Sequence, residues 1–217
     1  MGSRDLAVWA HMWFSAAYRQ ATRALSVAAD GPSGVLDVEL YLYVESLNNL
    51  RRGAAAVLPR DRDTLAIFDD CVPDLRAVRN QVEHFDAYVS GQGRLQTAQY
   101  RDGLGHGFWT TGVDGASHAI KGVRTVNCRL QVYSVGLRRR EDNSGEWCTA
   151  QDEVDVVTSI CSAIPLAQDV VAQAERSEGG STLVQDAQEW AATSQADYWL
   201  SRLGTERASR LRAALGL

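Results

Sequence analysis

The sequence predicts a mainly α-helical bundle carrying a small antiparallel β insertion, and three observations lead there. Apolar side chains return every three or four positions over most of the 217 residues, the spacing that keeps one helix face against a core. Only four prolines interrupt the chain. One internal stretch, about residues 103–140, abandons that spacing for glycine-rich turns and strict alternation, as a strand requires.

The elements follow in order. From Arg4 to Ala29 the residues Trp9, Trp13, Ala16, Ala17, Ala21, Ala24 and Leu25 recur at helical spacing until Asp30-Gly31-Pro32-Ser33-Gly34 breaks them. A second helix is expected from about Leu36 to Val57, with Leu40, Tyr43, Val44, Leu47 and Leu50 on one face and Pro59 beyond its end. A shorter helix fits Thr64 to Asp70. Pro73 suits a first helical turn and opens another, running to about Ser90. Gly91 and Gly93 stop it.

In the insertion, Asp114-Gly115 reads as a hairpin turn between Phe108-Trp109-Thr110-Thr111 and His118-Ala119-Ile120. The clearest strand is Arg124 to Val135, where Val126, Cys128, Leu130 and Val132 alternate with Asn127, Arg129, Gln131 and Tyr133. Thr149 and Asp152 have the spacing of a capping box, which would open a long helix through Val156, Ile160, Ile164 and Val171, kinked at Pro165. Residues 1–176 then form the bundle with its insertion. After the break at Ser177 to Ser181, residues 182–217 read as an amphipathic helical extension.

Composition narrows the function. The mass is 23.7 kDa, 45% of the residues are hydrophobic and 23% charged, the usage of an ordinary globular chain. A net charge of -5 argues against coating nucleic acid by bulk attraction, so any such contact needs a local patch. The basic run from Lys121 to Arg140, ending in Arg138, Arg139 and Arg140, is one candidate for an RNA backbone, and a solvated face is its plainer reading. Cys71, Cys128, Cys148 and Cys161 lack the close pairing of a zinc or redox site and read as reduced packing residues. His106 and His118 have no ligand-set spacing, so no metal or cofactor is expected. The apolar stretch Leu6 to Phe14 is broken by His11 and followed by Arg19 and Arg23, without a small-residue cleavage site. With no run of about 18 apolar residues, no membrane association and a cytoplasmic location are expected.

Chemistry concentrates between Asp74 and Tyr88. Leu75, Val78, Val82, Phe85 and Val89 form the core stripe, Asn80 and His84 lie opposite it, and Arg79, Glu83 and Asp86 fall on a flank. Arg79-Asn80-Gln81-Val82-Glu83-His84 resembles the motif of the HEPN superfamily, in which an Arg, a polar residue, three variable residues and a His sit late in a small helical bundle. That resemblance implies a four- or five-helix fold, a homodimer that brings two motifs together and, in active members, RNA cleavage without metal. Arg79 and His84 would then be catalytic, with Asn80 the polar residue between them. A toxin or defence role, with a cognate antitoxin as partner, is the associated expectation. The tyrosine that some antitoxin-paired members carry two residues after the His is Asp86 here.

The residue types suit that reaction. An imidazole exchanges protons near neutral pH, and a guanidinium fork binds phosphate oxygens while staying charged. The alternative is a non-catalytic helical protein that uses the same helix for a dimer, ligand or partner surface. Arg79 with Glu83 is then an ordinary i,i+4 pair.

Overall fold

A computed structural model of the chain describes residues 3–84, 87, 106–120, 123–139 and 145–178, together with 205, 206, 209, 212 and 213. The chain is mainly α-helical with a small antiparallel sheet inserted before a long helix that starts at Val156. Helix α1 is Ser3–Val27, α2 Gly34–Val57, α3 Asp63–Cys71 and α4 Leu75–Glu83. Strands β1 (His106–Ile120), β2 (Val123–Arg139) and β3 (Gly145–Asp155) pair in that order, and α5 is Val156–Glu178.

Local chemistry sets the helix ends. A 3-10 turn, Ala28–Asp30, closes α1, and Gly31 follows at φ 93° and ψ -179°, a region essentially open to glycine alone. Ser33 then caps α2, its hydroxyl accepting from the Leu36 N–H at 3.2 Å. The core lies between α1, α2, α3 and α5, with Phe14, Leu40, Tyr43, Leu47, Phe68 and Ile164 fully buried.

On α1 the buried stripe is Ala7, Ala10, Phe14, Ala17, Ala21, Ala24 and Leu25, so Trp9, Trp13 and Ala16 stand at its margin. Small residues win the central line because α2 comes very close. A Cβ placed on Gly53 would sit 2.7 Å from the Ala10 Cβ. Trp9 and Trp13 pack edge to face with centroids 6.1 Å apart.

Three expectations are corrected in the sheet. Asp114-Gly115 is no hairpin turn: β1 runs through it and pairs with β2 on both sides, Val113 with Cys128 and Ser117 with Val126. Residues 114–116 therefore face Asn127 alone, a bulge that absorbs the glycine. The insertion also extends past residue 140, because Gly145–Asp155 forms the third strand, with Leu130 opposite Val154. Thr149 and Asp152 thus lie in a strand, and no capping box forms. The cap of α5 is Asp155, whose carboxylate accepts from the Thr158 N–H at 2.8 Å. The apolar face read for β2 is buried at Cys128, Leu130 and Val132.

Helix α5 runs through Pro165. Its segment Val156–Ala174 has the length and composition of a membrane span, which the sequence expectation overlooked by asking for unbroken apolar residues, and 72% of that window is buried inside the protein. A core helix enclosed by its own bundle needs that composition. The expected continuation of α4 toward Ser90 and the extension 182–217 lie, apart from the few residues named above, outside the described residues.

Candidate functional site

Helix α4 is nine residues long, too short to persist by itself, and side chains from two directions hold it. The Asp74 carboxylate accepts from the Glu153 N–H of β3 at 3.2 Å. Gln81, buried although polar, donates to Asp152 on the same strand at 3.1 Å. Leu75 and Val78 are buried beneath. Burial and the neighbouring Asp74 carboxylate raise the pKa of Asp152 above its ordinary value.

On the other side, Arg79 reaches α2. Its Nε donates to Glu45 Oε2 at 3.0 Å and its Nη2 to Glu45 Oε1 at 3.4 Å. Glu83, one turn along α4, takes a second edge, accepting from Nη2 at 2.8 Å and pairing with Nη1. Asn80 Oδ1 accepts weakly from Nη1 at 3.4 Å. The hydrogen bonds to Glu45 make the Arg79 guanidinium harder still to deprotonate. It is a cation gripped by two carboxylates.

His84 is the C-cap residue of α4, its backbone N–H bonded to the Asn80 carbonyl at 3.1 Å. Its imidazole is 61% exposed, with Nε2 3.6 Å from Glu83 Oε2. The three motif residues therefore share one end of α4, with Glu83 between Arg79 and His84.

Two carboxylates and three arginines complete the surroundings. Glu45 lies 34 positions before Arg79, and no local pattern announces it. Arg51, Arg52 and Arg76 join Arg79 around a cleft between α2, α3 and α4. Adjacent basic residues on α2, Arg51-Arg52, were the available signal. Arg51 is bound in a fork by Asp69 of α3, with Nε to Oδ1 at 2.9 Å and Nη2 to Oδ2 at 2.7 Å, and this hydrogen bonding raises its pKa. Arg52 and Arg76 are exposed and pair with no carboxylate among the described residues.

Arg138 and Arg139 occupy the last positions of β2, opposite Glu146 and Gly145, and Arg140 lies outside the described residues. Arg138 is six positions beyond Val132, the partner of Asp152, about 20 Å of extended strand. His106 and His118 pair with Val135 and Thr125 near opposite ends of β1. Cys71, Cys128 and Cys161 are buried, and burial pushes the Cys161 thiol far above its ordinary range, against a nucleophilic role.

Comparison with protein-family models, with curated proteins and with solved structures gives no match to this chain.

Proposed function

We propose that the chain is a HEPN-like, metal-independent endoribonuclease acting as a homodimer, with Arg79 on the scissile phosphate and His84 moving the proton. The observation that carries this reading is the exposure of the His84 imidazole at the same end of α4 as Arg79 and Asn80. A polynucleotide can reach it.

In the reaction, the ribose 2'-oxygen forms a bond to phosphorus as the bond to the 5'-oxygen breaks. One imidazole removes the 2'-hydroxyl proton and a second protonates the leaving oxygen. The guanidinium neutralises charge developing on the non-bridging oxygens. A dimer supplies both imidazoles. Support for self-association comes from α2, where Val35, Val38 and Leu42 form an exposed apolar line at helical spacing. Val38 borders a shallow pocket with Tyr41 and Val82 of α4, so this line adjoins the motif. Arg138, Arg139 and Arg140 are the second basic run for the RNA backbone.

Arg79 reaches phosphate only by exchanging the Glu83 carboxylate for phosphate oxygens, while Glu45 keeps its side chain in place. Purified protein should cut single-stranded RNA in EDTA. Arg79→Ala and His84→Ala should each abolish cutting, whereas Glu83→Gln, which removes the competing charge, should lower KM. Cleavage that persists in both alanine variants refutes the assignment.

A second reading rests on the same ion pairs. Because Glu45 and Glu83 already satisfy Arg79, the residue serves as a strut between α2 and α4 of a non-catalytic protein. It predicts no RNA turnover in any variant, and a changed oligomeric state when Val38 or Leu42 is made charged.

A further inference from the structure

The cleft between α2, α3 and α4 encloses about 640 Å³, and its charge is lopsided. Four guanidiniums, Arg51, Arg52, Arg76 and Arg79, face one lining carboxylate, Asp69. Asp69 compensates Arg51, and Glu45 and Glu83 compensate Arg79 from outside the lining. Among the described residues no carboxylate compensates Arg52 and Arg76, two cations on facing helices, in a chain whose overall charge is -5.

The paired arginines have a different role from the free ones. Arg51, forked on one edge by Asp69, and Arg79, gripped by Glu45 and Glu83, are fixed walls. No described residue takes the N–H donors of Arg52 and Arg76, which are available to a ligand, and like charges converging on one concavity are relieved when an anion enters. Two free cations match a group carrying about two negative charges, which is the charge of a phosphate monoester near neutral pH. The volume falls within the roughly 300–1,000 Å³ of small-molecule sites, so there is room for an organic body as well. Asn48 and Asn80 supply amide donors and acceptors for it.

We infer that this cleft is a binding site for a small phosphorylated molecule, its phosphate held between Arg52 and Arg76. The site does not depend on the nuclease reading, since neither arginine belongs to the Arg79 and His84 pair.

Titration calorimetry at low salt tests it, with AMP, inorganic pyrophosphate and adenosine as probes. At least one phosphate probe should bind saturably with one site per chain, and adenosine should not. Arg52→Gln and Arg76→Gln should each weaken binding about tenfold or more, the loss expected for a charge-assisted hydrogen bond. Arg60→Gln, an exposed arginine between α2 and α3 and away from the cleft, should leave it unchanged. Neither cleft variant should alter the melting curve, because neither arginine pairs with a carboxylate among the described residues. Absence of saturable binding by both phosphate probes overturns the inference, as does unchanged binding in the double variant. Binding of a single-stranded RNA alone through Arg52 and Arg76 would also overturn it, making the cleft a nucleic-acid track. Failure of both phosphate probes leaves the Arg79 and His84 nuclease reading untouched, whereas RNA held in the cleft, which Arg79 also lines, would favour that reading.

Discussion

Replacing Arg79 with alanine should destabilise the fold by about 1.3–2.5 kcal/mol, whatever it does to activity. The pair with Glu45 has side chains only 21% and 27% exposed and two hydrogen bonds. Exposed ion pairs contribute about 0.2–1 kcal/mol and buried charge-assisted hydrogen bonds about 1.5–3. A pair with roughly three quarters of its surface covered falls between, at about 1–2 kcal/mol, and the more open i,i+4 pair with Glu83 adds about 0.3–0.5. The loss would lower Tm by about 3–10 °C in a chain of this size, read by circular dichroism and checked by the denaturant midpoint. His84→Ala, at an exposed C-cap side chain, should stay within about 0.5 kcal/mol of the parent. Arg79→Ala unfolding within about 0.3 kcal/mol of the parent would refute the strut. The contrast matters for the nuclease test: activity lost in His84→Ala reports chemistry directly, while activity lost in Arg79→Ala must be measured well below its melting point.

Two further outcomes test the fold around the site. Gly53→Ala should gain about 1 kcal/mol of helix propensity yet lose more to overpacking, typically about 1–3. The new methyl would lie 2.7 Å from Ala10 Cβ and 3.1 Å from Ala10 Cα, where carbon atoms ordinarily rest about 3.5–4.0 Å apart; a higher denaturant midpoint would contradict the close approach. Asp152 binds its proton more tightly folded than unfolded, so its contribution to stability falls as pH rises from the ordinary carboxylate range through its raised folded pKa. Asp152→Asn should remove that decline, and stability profiles of the two proteins that stay parallel across the acid range would contradict the assignment.

The helical framework was legible because burial writes a period into sequence: Leu40, Tyr43, Val44, Leu47 and Leu50 were read as a core face and are buried. Where the reading failed, a local pattern had two physical uses. Thr149 and Asp152 satisfy a cap spacing, but β2 continues to Arg139 and offers a ladder that only a strand can pair with. Asp114-Gly115 suits a turn and a bulge alike, and pairing on both sides decides for the bulge. The Arg79 and Glu83 pair was visible as an i,i+4 spacing. Glu45 was not, because its bond to Arg79 spans two helices. The arginine cleft escaped for the same reason, since no window along the chain holds Arg52 and Arg76 together.

The hydroxyl of Tyr43, fully buried in α2, lies 2.7 Å from the Ser159 hydroxyl of α5 and 3.2 Å from the Val156 carbonyl. Sliding α5 by one turn along α2 would keep greasy surfaces in contact, yet would break both hydrogen bonds of the phenol, at about 1–3 kcal/mol. Aliphatic packing alone tolerates such slippage. This polar latch therefore selects one alignment of two helices that lie far apart along the chain, and the strand that leads into α5 inherits its position, and with it the platform on which the Arg79 helix rests.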